Sequence, residues 1–261
     1  MKPALLKKYE ALRFILNNIG KVAVAFSGGV DSTLLLKIAR ITLGNNVLAV
    51  YGSSVLQKEV NRQMVRFQAD EIGARLFIKE YFPLSWPEFV VNSEDRCYYC
   101  KRRIYSGFLE IIPPGYSLLD ASQLDDFSRE RPGIKAIHEL GVKTPLFEAS
   151  LNKKEVRCMS RAMQLSNWLS PSESCLATRI KTGKPITERG LKIIARGEEF
   201  LEGLGFSGCR VKFEEDRIFI SLLDDDYLRL GDPALRYKIE DFFRSLACRR
   251  VFLVLSGRPN Y

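Results

Sequence analysis

The chain passes from a short apolar run into a longer one through Ser27-Gly28-Gly29-Val30-Asp31-Ser32. Apolar side chains at positions 22, 24 and 26 precede these residues, and leucine, isoleucine and alanine recur from position 34 onwards. The pattern predicts a buried strand, a glycine-containing turn and a helix that opens directly behind the turn. Because two adjacent glycines tolerate a sharp bend, the turn can point its N–H groups at an anion.

The side chains of this turn have the chemistry of a phosphate-binding loop. The helix N-terminus adds a partial positive charge, and the hydroxyls of Ser27, Ser32 and Thr33 can donate to phosphate oxygens. No lysine follows the glycines, so the glycine-lysine pattern of the common nucleotide triphosphatases is absent. Asp31 instead supplies a carboxylate that can hold Mg²⁺ between polyphosphate oxygens. The alternative is a strand-to-helix turn that binds nothing.

This turn resembles the SGGxDS signature of the N-type ATP pyrophosphatases, or PP-loop enzymes, which split ATP into AMP and pyrophosphate. The resemblance implies an α/β fold with a Rossmann-like parallel sheet and helices on both faces, of the adenine nucleotide alpha hydrolase type. It also implies that Asp31 holds Mg²⁺. The residues implied to bind ATP are Ser27, Gly28, Gly29, Asp31, Ser32 and Thr33.

Short apolar strands alternate with amphipathic helices through the first half of the chain. Strands are predicted at residues 21–26, 47–51, 75–79 and 116–120, and helices at 31–43 and 59–72. Such alternation predicts a parallel sheet that binds ligands at the carboxyl ends of its strands. Ser53 follows the second strand at such an end, where an adenine or ribose is expected.

Two helices are expected to carry apolar stripes. The N-terminal helix is predicted to face the core with Leu5, Leu6, Tyr9, Leu12, Ile15 and Leu16. The helix at 59–72 is predicted to carry Val60, Met64, Phe67 and Ile72 on one side.

The last third of the chain predicts a second, smaller domain. A linker at 181–185 is expected to separate a PP-loop domain of residues 1–184 from a small C-terminal α+β domain of residues 185–261. Thr187 can cap a new helix. Residues 209–213 and 217–222 predict a hairpin, and residues 250–255 a final strand.

The composition is that of a globular protein with a basic surface. The 261 residues carry a formal net charge of +9, and 46% are hydrophobic. This charge favours anionic partners such as nucleotides, phosphates or RNA, and a basic surface around a nucleotide pocket is the favoured interpretation. No stretch is long and apolar enough for a membrane span and no signal-peptide pattern is present, so we expect a cytoplasmic protein. We expect neither membrane nor DNA partners, and a homo-oligomer.

The cysteines give a second chemical signal. Cys97 and Cys100 are separated by two residues and followed by a basic run, so they can bind a metal centre or form a redox pair. Cys175 lies in a serine-rich loop close to Arg179, a setting for a reactive or ligating thiol. Three thiols suit a 4Fe–4S cluster with one iron left without a protein ligand, whereas structural zinc takes four ligands. A role of Cys97 and Cys100 in disulfide exchange stays open.

The remaining cysteines are interpreted as core residues: Cys158, Cys209 and Cys248. The single histidine, His138, is interpreted as a surface or core residue.

With these residues in view the chain resembles the LarE family, the ATP-dependent sulfur transferases of nickel-pincer nucleotide biosynthesis, over nearly its whole length. Besides the turn, the resemblance rests on Gly141-Val142-Lys143-Thr144-Pro145-Leu146, on Arg131-Pro132-Gly133 and on Pro171-Ser172-Glu173-Ser174-Cys175-Leu176-Ala177-Thr178-Arg179. Where the family usually has GTNxDD, this chain has Asp120-Ala121-Ser122-Gln123-Leu124-Asp125-Asp126.

The resemblance implies a reaction. ATP adenylates a carboxylate of pyridinium-3,5-biscarboxylic acid mononucleotide, AMP and pyrophosphate form, and sulfur converts the carboxylate to a thiocarboxylate. The sulfur-handling role falls on Cys175. Members with this cysteine alone give up its own sulfur, whereas members with a further Cys-x-x-Cys hold a 4Fe–4S cluster on three cysteines. With Cys97 and Cys100, this chain resembles the second type.

Basic residues are expected to bind the phosphate of the mononucleotide substrate. Arg210 and Lys212 are two apart in a predicted strand and so share a face, and the family also has basic residues there. Arg179 and Lys101 are expected to join them. A solvated strand face is the alternative for the hairpin pair.

Two other functions stay open. A PP-loop tRNA thiolation enzyme also adenylates its substrate and would suit the positive charge, although no RNA-binding extension is recognisable. A nucleotide-sensing module would hold ATP without turning it over.

Overall fold

The computed structural model describes residues 2–127, 132–171 and 174–256. Contacts divide the chain into two compact units. The larger unit holds most of the chain up to Ser170, and the smaller one holds the chain from Pro171 onwards together with Val55–Gln57 and Leu84–Ser93. The domain boundary expected at residue 184 stays a prediction.

The helices and strands alternate along the larger unit. The helices of the whole chain are α1 (Pro3–Ile19), α2 (Val30–Leu43), α3 (Glu59–Ile72), α4 (Pro87–Val90), α5 (Arg96–Ile111), α6 (Leu124–Phe127), α7 (Pro132–Glu139), α8 (Pro145–Glu148), α9 (Lys153–Ala162), α10 (Glu188–Gly203) and α11 (Pro233–Ser245). The strands are β1 (Val22–Ala25), β2 (Val47–Ser53), β3 (Arg75–Glu80), β4 (Ser117–Leu119), β5 (Arg210–Glu214), β6 (Arg217–Ser221) and β7 (Arg250–Leu253). Short 3₁₀ turns span Pro83–Ser85, Leu176–Arg179 and Asp224–Gly231.

A four-stranded sheet organises the larger unit. Its order is β3-β2-β1-β4 and every pair is parallel. Helices flank the sheet, which confirms the Rossmann-like α/β fold expected from the sequence. β1 is one of the two inner strands and is almost wholly buried. Its unbroken apolar run is the pattern expected of a parallel strand covered on both faces.

The core of this unit confirms one predicted helix face and corrects another. On α1, Leu12 and Leu16 are fully buried, whereas Leu6 is 46% exposed and so does not face the core. On α3, Val65 and Ile72 are buried. The remaining predicted stripe residues of α3 are exposed: Val60, Met64 and Phe67.

The smaller unit contains a mixed three-stranded sheet of order β5-β6-β7. β5 and β6 form the predicted antiparallel hairpin, and β7 adds in parallel to β6. Thr187 caps α10, since its hydroxyl accepts a hydrogen bond of 3.1 Å from the Gly190 N–H. Phe206, Val211 and Phe243 lie fully buried at the centre of this unit's core. The C-terminal α+β architecture expected from the sequence is confirmed.

Throughout the described ranges, every helix is too short or too polar to cross a lipid bilayer.

Candidate functional site

The turn between β1 and α2 bends at a glycine that no other residue could replace without strain. Gly28 has a φ of +77°, in the region that favours glycine. A Cβ atom at Gly28 would lie 2.9 Å from Val65 Cγ2 and 3.1 Å from Gln68 Oε1, so a side chain has no room there. Gly29 caps α2, which begins at Val30. The turn and helix expected from the sequence are therefore present, and glycine is required at Gly28 by both conformation and space.

The hydroxyls of the loop bond within the loop itself. Ser32 Oγ and Thr33 Oγ1 each donate to the Gly29 carbonyl at 3.0 Å, and both side chains are buried. Ser27 Oγ lies 3.1 Å from Ser32 Oγ and accepts from the Gly29 N–H at 3.3 Å. Ser27 and Gly29 are exposed residues, although the Ser27 hydroxyl and the Gly29 N–H bond to each other. The loop is held in shape before any ligand binds.

The two carboxylate oxygens of Asp31 have different surroundings. Its Oδ2 lies 2.5 Å from Lys153 Nζ, whereas Oδ1 is buried and accepts no hydrogen bond from any residue that the structure describes. A buried carboxylate oxygen without a donor is costly unless something binds it. A hard divalent cation is the ligand that carboxylate oxygens favour, so Asp31 fits the Mg²⁺ site predicted from the sequence.

Asn167 ties the loop to the chain beyond α9, and the sequence did not single it out. Its Nδ2 donates to the Gly28 carbonyl and to Thr33 Oγ1, both at 2.9 Å, and its side chain is buried. Arg157 holds the same segment by donating to the Trp168 carbonyl at 2.9 Å. No motif in the sequence marks either residue, because both contacts arise from tertiary packing.

Ser53 ends β2, the strand beside β1. It is buried, and its carbonyl accepts from the Tyr81 N–H at 2.8 Å. Because parallel strands present their carboxyl ends at one edge, Ser53 and the turn after β1 share an edge of the sheet. The placement agrees with the sequence expectation, and its role in binding adenine or ribose stays a prediction.

Cys97 and Cys100 lie three residues apart in the first turns of α5, so they share a helix face. Cys97 is exposed, and Arg96 Nη2 donates to its Sγ at 3.4 Å. Cys175 is exposed in the smaller unit, directly before the 3₁₀ turn at Leu176–Arg179. Among the described residues of each unit, no group of three or more His, Cys, Asp or Glu side chains is placed so that it could hold a metal ion. Cys209 and Cys248 are buried as expected, whereas Cys158 is exposed and so is not a core residue.

Arg179 organises the backbone around Cys175. Its Nε lies 2.8 Å from Glu198 Oε1 in a buried ion pair. Its Nη1 donates to the Ser174 carbonyl at 2.9 Å and to the Cys175 carbonyl at 3.2 Å. The guanidinium expected to clamp a substrate phosphate is thus engaged by protein groups, and Glu198 is a further residue that the sequence did not indicate.

The basic residues of the hairpin lie on one side of β5. Val211 between them is buried, whereas Arg210 is half-buried and Lys212 is exposed. The predicted alternation is confirmed. Arg210 Nη1 donates to Ser174 Oγ at 2.6 Å, which brings a second guanidinium to the segment before Cys175.

No protein-family profile matches the chain. It is 34% identical over 254 residues to an uncharacterised protein of Synechocystis, a match that covers 96% of this chain and 94% of that protein. It is 33% identical over 254 residues to the pyridinium-3,5-bisthiocarboxylic acid mononucleotide synthase of Lactiplantibacillus plantarum, with 96% and 91% coverage. The chain belongs to the LarE family. An uncharacterised protein of Methanocaldococcus jannaschii, 26% identical over 212 residues, covers 78% of this chain.

This LarE-family chain carries a buried carboxylate where its motif departs from GTNxDD. Asp120 follows β4 directly. It pairs with Lys101 Nζ at 2.9 Å and accepts from the Ser122 N–H at 2.7 Å and from the Tyr105 hydroxyl. Burial acts to raise the pKa of Asp120, but Lys101 and the hydrogen bonds from Ser122 and Tyr105 outweigh it and hold that pKa below its ordinary value. Burial and the Asp120 charge raise the pKa of Tyr105. Lys101, expected to bind substrate phosphate, is therefore engaged by Asp120.

Proposed function

We propose that this protein is an ATP-dependent sulfur transferase that makes a thiocarboxylate on a pyridinium mononucleotide. It adenylates a carboxylate of pyridinium-3,5-biscarboxylic acid mononucleotide, releasing pyrophosphate, and then replaces AMP by sulfur. The name of the Lactiplantibacillus relative, a bisthiocarboxylic acid mononucleotide synthase, supports the product class. The ATP chemistry is supported above all by the surroundings of Asp31. Its buried Oδ1 accepts no hydrogen bond within the described ranges, and the residue follows the glycine turn at Gly28.

Adenylation solves a leaving-group problem. Hydroxide leaves a carboxylate poorly, whereas AMP leaves an acyl adenylate readily. The substrate carboxylate oxygen attacks the α-phosphorus, the bond to the β-phosphate oxygen breaks, and pyrophosphate leaves. The Gly28 N–H and the N-terminus of α2 would stabilise the charge on the departing pyrophosphate. The Gly29 N–H, which donates to Ser27 Oγ, would join them by exchanging that bond for one to phosphate. Mg²⁺ held by Asp31 would neutralise phosphate charge in the same place.

Sulfur delivery is assigned to Cys175. Its thiol is exposed, and the Arg179 contacts fix the backbone on which it is carried. Cys97 and Cys100 are also thiols with at least partial exposure on one helix face, so the donor set suits iron–sulfur ligation. With Cys175 they would hold a 4Fe–4S cluster, which supplies an iron that can carry sulfur. In the alternative route Cys175 attacks the adenylate itself and later loses its sulfur by β-elimination.

Substrate phosphate binding is assigned chiefly to Arg210 and Lys212. Both lie on one side of β5 and neither is fully buried. A guanidinium and an ammonium on one strand face match the charge of a phosphate monoester. Arg179 and Lys101, which are engaged by Glu198 and Asp120, would support this binding less directly.

The test is product analysis with purified protein, ATP, Mg²⁺ and the pyridinium dicarboxylate mononucleotide. We expect AMP and pyrophosphate in equal amounts and a thiocarboxylate product when a sulfur source is present. Asp31→Asn should slow pyrophosphate release about 10²–10³-fold, the typical effect of losing one preorganised charge-stabilising group. The exposed Asp70→Asn variant should match the wild type.

Other outcomes would contradict the proposal. Formation of ADP would exclude α-phosphate attack. Pyrophosphate release that needs bulk tRNA would instead favour a tRNA thiolation enzyme. Tight ATP binding without turnover under all conditions would favour a nucleotide sensor.

A further inference from the structure

A lysine from a distant part of the chain lies at the phosphate-binding loop. Lys153 Nζ is 2.5 Å from Asp31 Oδ2, and both residues belong to the larger unit. Lys153 is the first residue of α9. An ammonium near a helix N-terminus is disfavoured by the partial positive charge of that helix end. The ion pair with Asp31 offsets this cost.

The start of α9 is held firmly in place. Asn152 and Glu155 form a reciprocal capping box around the first turn. The Lys153 N–H donates to Asp125 Oδ2 at 2.9 Å, and Glu155 pairs with Lys8 at 2.7 Å. The backbone of Lys153 is thus fixed, and the contact with Asp31 holds its ammonium at the loop, so less side-chain freedom remains to be lost on binding a ligand.

We propose that Lys153 is a polyphosphate-binding residue of this loop, an assignment that rests on the ATP chemistry proposed above. The loop sequence carries no lysine after its glycines, and its other donors are hydroxyls and amides. Lys153 brings a full positive charge to the same place. An ammonium has three N–H donors, of which the contact to Asp31 Oδ2 uses one, so two can reach phosphate oxygens.

The two roles of Asp31 are compatible with this assignment. Its Oδ2 faces Lys153, while its Oδ1 accepts no hydrogen bond from the described parts of the chain. One carboxylate can thus orient the ammonium through one oxygen and offer the other to a cation. The Lys153 ammonium and a bound cation would then both lie beside a polyphosphate, each on its own oxygen of Asp31.

The test is direct binding of inorganic pyrophosphate, measured by calorimetry in buffer freed of divalent metal with EDTA. Lys153→Met should weaken the affinity about 10- to 100-fold, as expected for one hydrogen bond to a charged group. Lys153→Arg keeps the charge and should keep most of the affinity. Lys154→Met is the matched control, because Lys154 is the next residue of α9 and is exposed. Its affinity should equal that of the wild type.

A second variant keeps the test valid if Lys153→Met does not fold. In Asp31→Asn the ammonium loses its carboxylate partner, so metal-free pyrophosphate should bind at least as tightly as to the wild type. Weaker binding by Asp31→Asn, or unchanged binding by a folded Lys153→Met, would overturn the assignment. If the wild type forms AMP from ATP in either case, only the role of Lys153 fails. If the wild type neither binds pyrophosphate nor forms AMP, the proposed function fails with it.

Discussion

Arg179 and Glu198 form a buried ion pair, with Nε and Oε1 2.8 Å apart and only 6% and 1% of the two side chains exposed. Glu198 Oε1 also accepts from the Val211 N–H at 3.2 Å. The pair therefore joins three elements of the smaller unit: the turn after Cys175, α10 and β5. Arg179 is thereby fixed as a donor to the Cys175 carbonyl.

Replacing Glu198 by glutamine should strongly destabilise the smaller unit. The Arg179 guanidinium would stay buried without its counter-charge, a change that typically costs about 3–5 kcal/mol of unfolding free energy. Urea unfolding followed by circular dichroism measures the loss. The control is Glu188→Gln on the same helix, where the ion pair with Lys192 is exposed and a loss of no more than about 1 kcal/mol is expected. Equal stability of both variants would show that the buried pair is dispensable.

Gly28→Ala should disable the loop between β1 and α2, to which we assign phosphate binding. A residue with a side chain at φ +77° is strained by about 1–3 kcal/mol, and the new Cβ would meet Val65 Cγ2 at 2.9 Å. The matched control is Gly115→Ala, since Gly115 has a φ of +84° but a Cβ added there would have no described atom within 4 Å. Thermal melting should show a larger loss for Gly28→Ala. Calorimetry should show lost pyrophosphate binding in that variant alone, and retained binding would contradict the assignment of the loop.

The stability contributed by Asp120 should depend on pH. Its pKa is lower in the folded chain than the ordinary value of 3.8, so the unfolded chain binds the proton more tightly. The contribution is therefore full above pH 3.8 and is lost as the pH falls through the lowered folded-state pKa. The difference in unfolding free energy between the wild type and Asp120→Asn, measured from pH 7 down to pH 3, should narrow towards the acid end. A gap independent of pH would show that Asp120 acts only through its shape and hydrogen bonds.

The sequence predicted the sheet and the loop because their signals are local. Apolar runs mark the buried strands, and the glycines with Asp31 mark the turn between β1 and α2. Ile72 is buried as predicted, but the other three residues predicted for the buried face of α3 are exposed, because Gln68 and Val65 pack at Gly28 and so set which side is buried. A polar residue on the inner face breaks the expected apolar stripe.

The supporting residues of the site could not be predicted for a different reason. Lys153, Asn167 and Glu198 reach their partners from positions 122, 139 and 19 residues away in the chain. Many lysines, asparagines and glutamates share such local surroundings, and only tertiary packing selects the ones that bond to the loop or to Arg179. Their identification therefore requires the fold.

Iron content should depend on the two cysteines of α5 but not on every exposed thiol. Protein purified without oxygen should contain about four irons per chain if three cysteines hold a 4Fe–4S cluster. Cys97→Ala should lose most of this iron and the brown colour that accompanies it. Cys158→Ala is the matched control, because Cys158 is also exposed but lies on α9, outside the proposed ligand set. Iron analysis and visible absorbance measure both variants. The opposite result would be a wild type without iron in which mass spectrometry shows Cys175 converted to dehydroalanine during one turnover. Because β-elimination of sulfur turns a cysteine into dehydroalanine, that result would establish the sacrificial route.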